Sequence, residues 1–369
     1  MRINSSVFDA WLASACMPSK LTMHLLDLSG NASACYDAFM NKDKKLIDSI
    51  PPRFRSILEN NSSDAFLLKM NEMMDRNSIG VLHYYDPDFP VSLKEIDQSP
   101  AILFFQGNVN CLKNQKLAMV GSRTASYTGQ KAAKKIATDL SRQKVSIISG
   151  LAYGIDAASH GGCIEGGSPT IAVTACGLDI VYPREHIGLR NKIIEQNGLI
   201  ITEYAPGERP AGWHFPYRNR IIVGLSRALI LIEAKIRSGS MTSVQHALEQ
   251  GKDVFVYPGQ PDSEYFEGNH QLLREGGIYF TSAEDILHDL QWLDNQSAVR
   301  QNSDCSVPEI AVTREQAAVL TALKPGSLGF DQLLQKTKLD PPVLLSTLTI
   351  MQISGLIEPL PGKQYQLKH

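Results

Sequence analysis

From residue 116 to about 288, short apolar runs recur at nearly regular intervals. LAMV (117–120), SIIS (146–149), TIAV (170–173), LIIT (199–202), ALILI (228–232) and VFVY (254–257) are separated by stretches with helical spacing. Apolar runs of this length, rich in β-branched residues and without polar alternation, predict strands buried on both faces. The pattern is that of a parallel sheet covered by helices, an α/β fold of Rossmann-like type. Ligands of such sheets bind beyond the carboxyl ends of the strands.

The flanks differ. Residues 1–80 read as a small helical module, with Leu21, Leu25, Leu26 and Leu28 near helical spacing and Pro51-Pro52 breaking the chain. Asp64 stands where a cap of the following helix is expected. Residues 289–306 are polar and unpatterned and read as a linker. In 307–369 a periodic helix, a helix–turn–helix and the ending EPLPGKQYQL predict a winged helix, with Pro341-Pro342 opening the second helix of the pair. The expected domains are 1–80, 81–288 and 307–369. No basic residue lies between Asp340 and Leu356, so base reading by that helix is the lesser expectation.

Composition narrows the function. The 369 residues carry 36 Lys+Arg against 38 Asp+Glu, a formal charge of −2, which excludes a globally basic DNA coater but leaves room for a local basic groove. No apolar run reaches the ~18 residues of a membrane span, and the start has no signal-peptide core. The six cysteines are scattered without a CxxC, as expected of reduced cytoplasmic thiols rather than of a disulfide framework or a zinc site, and no metal ligand set is expected.

The strand ends hold the candidate chemistry. After the first run come Gly121, Ser122 and Arg123: a close-approach glycine, an anion donor and a bidentate phosphate ligand. After the second, Gly150 and Gly154 flank a turn into a helix that Asp156 is placed to cap, its other reading being to position Arg123 or to contact a base. His160 has no nucleophile beside it and reads as a packing residue. Arg184 follows the third. Phe215, Arg218 and Arg220 combine a ring with two guanidinium groups, the pairing used for single-stranded nucleic acid. One of the two arginines is expected to make an internal ion pair, with Glu233 or Asp156. Ser238, Gly239 and Ser240 form a second small-residue cradle at a helix start. Two cradles suit consecutive backbone phosphates better than one metabolite. There is no GxGxxG, which argues against NAD or FAD, and no other cofactor is expected.

These motifs carry a resemblance. VGSR, SGLAYGIDAASH, GLDIVYP, FPYRNRIIVGLS, IEAKIRSGSMT and VFVYPG stand in the order and spacing of the DprA/Smf family (DNA processing protein A), as does the lead-in YYDPDFPVSLKEIDQSPAILFFQGN. The match is close over about 84–288; the C-terminal part resembles the family's winged helix, and 1–80 is similar only in kind to the SAM-like helical domain of some members. The resemblance implies an extended Rossmann-like fold that binds single-stranded DNA in a positive pocket. It also implies a homodimer through that domain, and loading of the recombinase RecA onto incoming strands during natural transformation, without catalysis. Carried onto this chain, the pocket takes Gly121, Ser122, Arg123, Gly150, Gly154, Phe215, Arg218, Arg220, Ser238, Gly239 and Ser240. Arg184 takes the place of the basic residue that follows YP in some members. Tyr153 departs from the pattern, standing where the family usually has arginine. The competing expectation is a nucleotide-processing hydrolase of the phosphoribohydrolase-like Rossmann group, but YPGQPDSEYFEG lacks that group's PGGxGTxxE motif.

Overall fold

The computed structural model describes residues 4–292, 314–323, 327–353, 357–360 and 364–367. These form two compact units, divided between residues 293 and 294. Most of the linker expected over 289–306 lies outside the described residues.

The first unit opens with six helices: α1 Ser6–Ala13, α2 Ser19–Ser29, α3 Ala32–Met40, α4 Lys44–Ser49, α5 Pro52–Asn60 and α6 Asp64–Arg76. Ser63, not Asp64, caps α6, its side chain accepting from the Phe66 amide. Trp11 is fully buried at the centre of this cluster and donates its indole N–H to the Leu58 carbonyl at 3.1 Å. The helices do not close a core of their own. Trp11, Leu25, Leu58 and Met70 belong to one apolar cluster with Ile102, Phe104, Ala172 and Ile200 of the sheet. Burying that shared surface, at ~25 cal/mol per Å² of apolar area, holds the helices against the sheet.

The sheet comprises β1 Gly80–His83, β2 Ile102–Gly107, β3 Lys116–Val120, β4 Ser146–Ser149, β5 Ile171–Val173, β6 Leu199–Thr202, β7 Leu229–Leu231, β8 Val254–Val256 and β9 Ile278–Tyr279. A short helix, α7 Val91–Lys94, lies between the first two strands. From β3 onward, α8 Tyr127–Arg142, α9 Ile155–Gly166, α10 Ile187–Glu195, α11 His214–Leu225, α12 Gly239–Glu249, α13 Glu267–Arg274 and α14 Ala283–Asp289 alternate with the strands. The strand order is β1-β2-β6-β5-β4-β3-β7-β8-β9. β1–β2 and β2–β6 pair antiparallel and the remaining pairs are parallel. This is a Rossmann-like sheet extended by an antiparallel pair. As the uniform apolar runs predict, β4, β5, β6, β7 and β8 are buried along their whole length.

Chain order reverses at β3, which pairs with β4 on one side and β7 on the other, Ala118 facing Leu229. Neighbouring strands then send their connections to opposite sides, and a crevice opens between their carboxyl ends. Fully buried Glu233, just past β7, spans it. Its carboxylate accepts from the amide and hydroxyl of Ser126, and the Ser126 hydroxyl accepts in turn from the Gly129 amide, capping α8.

The second unit comprises α15 Arg314–Leu323, β10 Leu328–Gly329, α16 Phe330–Thr337, α17 Pro341–Ile353, β11 Ile357–Leu360 and β12 Gln364–Leu367. Its strands pair antiparallel in the order β10-β12-β11, and Val319, Leu323, Leu333, Leu344, Leu348, Met351 and Ile357 form its core. The expected helix–turn–helix and wing are both present, with Pro341 opening α17.

Candidate nucleic-acid interface

The switch-point crevice holds a cavity of about 540 Å³. The β3 loop (Gly121, Ser122, Arg123), one face of α11 (Phe215, Arg218, Asn219, Ile222) and the β7–α12 loop (Lys235, Arg237, Ser238, Gly239, Ser240) line it. A narrower cleft continues from it, sharing Arg123, Ala152 and Phe215, and is walled by Gly150, Tyr153, Tyr182 and Pro183. Together they make one trough, polar and cationic at the α12 end and aromatic at the other.

Two turns set its floor. Gly154, with φ +73°, lies under the β3 loop so closely that a Cβ there would stand 2.2 Å from the Ser122 carbonyl oxygen. The backbone of Gly150 passes over Arg218, where a Cβ would come within 2.5 Å of Nη2. Glycine is required at both positions for closeness, and at Gly154 for conformation as well.

Arg218 is 3% exposed. Its Nη1 donates to the carbonyls of Gly150, at 2.9 Å, and Val173. Burial draws its guanidinium down to about 10, with Asp156 opposing, so it stays charged at neutral pH. Asp156 does not cap α9. Its carboxylate accepts from the Gly150 and Ala152 amides at 3.1 and 3.3 Å, closing the turn that precedes the helix. Burial pushes its pKa up, and the charge of Arg218 opposes the shift. Arg218 thus supplies fixed positive charge beneath the trough. Arg123 is exposed above it, its guanidinium 4.6 Å from the Phe215 ring centroid. Phe215 also packs against Tyr182, with centroids 5.5 Å apart. Among the described residues neither Arg123 nor Arg237 has a carboxylate partner, whereas Lys235 reaches Glu264 at 2.8 Å.

The α12 end is an anion cradle. Ser238 precedes the helix without capping it, which leaves the first-turn amides open to a ligand. The Ser238 and Ser240 hydroxyls lie 2.6 Å apart. One helical turn into α12, Ser243 lines the cavity with a buried hydroxyl that has no hydrogen-bond partner among the described residues. A phosphate oxygen would satisfy these donors.

Two expected site residues stand elsewhere. Arg220 is buried on the far side of α11, where it donates to both oxygens of Glu203 at 2.6 Å and stacks on Tyr217. Residues two apart on a helix point about 200° apart, so Arg218 and Arg220 cannot both face the trough. An internal ion pair was expected of one arginine; its acid is Glu203, not Glu233 or Asp156. Arg184 is exposed on the turn after Pro183 and lines neither part of the trough. Gly154 supports the floor without lining it. Lys235, Arg237, Asn219 and Ser243 line the cavity as well, though they are not among the expected site residues. Asn219 and Ser243 were legible from helical periodicity, since they lie four residues from Phe215 and three from Ser240. His160 is a packing residue as expected, fully buried and bonded through Nδ1 to Thr170.

A Rossmann-like sheet with cationic cradles on both sides of its switch point, and a winged helix following it, defines a class of proteins that take anionic ligands at the strand ends. The comparisons supply the family. Residues 80–291 match the model of DNA recombination-mediator protein A, and residues 306–363 match the DprA winged helix domain. The chain belongs to the DprA family. It is 43% identical over 207 residues to the DNA processing protein DprA of Streptococcus pneumoniae, covering 56% of this chain and 73% of that one. The solved structure of DprA from that organism superposes with a TM-score of 0.65 at 33% identity, over 78% of this chain and 98% of the other. A Helicobacter pylori DNA processing protein A, whose structure addresses its binding of single-stranded DNA, superposes with a TM-score of 0.53 at 26% identity, over 58% of this chain and 96% of that one. Among the described residues no helix is long and apolar enough to cross a membrane.

Proposed function

We propose that this chain binds single-stranded DNA in the switch-point trough without catalysing a reaction on it. The observation that carries the reading is the stacked pair of Arg123 and Phe215 over buried Arg218, facing the open cradle of Ser238, Gly239 and Ser240. Backbone phosphates would sit against Arg123, Arg237 and the first turn of α12, and bases would stack on Phe215 and the exposed rings of Tyr153 and Tyr182. Among the described residues lining the cavity Asp156 is the one acid, and its carboxylate is held by two amides. That leaves the hydrolase reading without a general acid or base. On the family assignment, the protein acts in the cytoplasm as a homodimer through its Rossmann-like unit, and loads RecA onto incoming DNA during transformation.

Fluorescence anisotropy with labelled oligo-dT tests the binding. Micromolar or tighter affinity, weakened in both Arg123→Ala and Arg237→Ala, is expected; wild-type affinity in both variants would refute the site. Strand exchange by RecA on oligonucleotides coated with single-strand-binding protein, with and without this chain, tests the loading step. Sedimentation of the full chain and of a chain ending at residue 292 tests the dimer, which should survive the truncation.

A further inference from the structure

Away from the trough, three side chains from distant parts of the sequence converge. Cys16 lies in the turn between α1 and α2, Glu208 in the loop after β6, and His214 at the start of α11. Their ligand atoms, one thiol sulfur, one carboxylate oxygen and one imidazole nitrogen, all lie within 4.8 Å of one another. His214 is 1% exposed, with its ring stacked on Tyr204 at 4.0 Å between centroids. Its Nδ1 lies 3.1 Å from the Ala175 carbonyl and accepts from the Ala211 amide at 3.3 Å, contacts that fix the ring and leave Nε2 on the side of Glu208. Nε2 makes no hydrogen bond to a described residue; the nearest Glu208 oxygen is 4.0 Å away. That separation is long for a hydrogen bond but near the roughly 3.3–3.6 Å between ligand atoms on a shared tetrahedral zinc with 2.0–2.3 Å bonds. Cys16 is held at φ +46°, a left-handed conformation that β-carbon residues seldom adopt. It also borders a cavity of about 210 Å³.

We propose that Cys16, Glu208 and His214 bind a divalent zinc-type cation that clasps the first helices to the sheet. The mixed sulfur, nitrogen and oxygen set suits zinc over magnesium or calcium, which take oxygen ligands. On binding, the Cys16 thiol gives its proton to solvent and the sulfur bonds the metal. The sequence shows no metal signature, because the ligands come from positions 16, 208 and 214.

The full chain, stripped with chelator and dialysed against zinc, should retain about one zinc per chain by atomic spectroscopy and melt at a higher temperature than the stripped form. Cobalt should give a thiolate charge-transfer band. Cys16→Ser should abolish that band, and both Cys16→Ser and Glu208→Gln should weaken zinc binding at least tenfold and remove the melting shift. No stoichiometric zinc in the wild type, or equal binding and an equal melting shift in the two variants, would overturn the assignment.

Discussion

The guanidinium of Arg123 stands 4.6 Å above the ring of Phe215, joining the end of β3 to the start of α11 across the mouth of the trough. A cation on a ring face lies in the plane a phosphate oxygen approaches, while the rest of the ring stays available to a base. Phe215→Ala should weaken oligo-dT binding by about 1–3 kcal/mol, the range for one lost stacking contact, with little change in salt dependence. Arg123→Ala should act through charge, lowering the magnitude of the log–log salt slope by about 0.7. Anisotropy at several salt concentrations separates the two.

Arg218 and Arg220 should respond differently to truncation. Losing Arg220 strands Glu203, whose side chain is 12% exposed, and should cost about 3 kcal/mol of stability in urea denaturation. At a temperature where the variant is folded, its affinity for oligo-dT should stay within about twofold of wild type. Arg218→Ala should lower both stability and affinity, because it leaves the Asp156 carboxylate and the Gly150 carbonyl without a cation and removes charge from the trough floor.

Gly150→Ala places a methyl 2.5 Å from Arg218 Nη2 and 2.8 Å from Asp156 Oδ2. The variant should unfold about 1–3 kcal/mol more easily and bind oligo-dT more weakly, since relieving the clash displaces the buried guanidinium.

Legibility in the sequence followed the range of the interactions. The strands were readable because burial on both faces leaves no room for alternation, as at β4 and β6. The winged helix was readable from its two prolines and its periodic helices. Gly121, Ser122 and Arg123 were readable because they follow directly on the end of β3, whereas Phe215 was read from its place beside the arginines of one motif. Arg220 was misassigned because motif order puts it beside Arg218 while the helix turns it to the opposite face. Arg184 lies outside the trough lining, and as a loop residue it carries no periodicity that would have oriented it. The bond between Glu233 and Ser126 joins positions 107 apart, so no local signal announces it.

A second long-range tie sets a pH dependence. His83 on β1 lies 2.9 Å from buried Asp9 of α1 and 3.3 Å from Asp86. The hydrogen bond to Asp9 is the main cause holding the imidazole pKa above its ordinary value, and burial opposes it. A raised histidine pKa stabilises fully below the unfolded value, near 6.5, and that stabilisation fades as pH rises through the folded value. Urea midpoints should therefore fall between about pH 6 and pH 8 in the wild type and fall less in His83→Gln.

The central claim is that the trough is a binding site for unpaired DNA. Its most direct test is a crystal structure of the full chain with a short oligo-dT. The account predicts phosphates against Arg123 and the first turn of α12 near Ser238 and Ser240, with a base stacked on Phe215. A strand bound elsewhere, with the switch-point trough left to solvent, would contradict it.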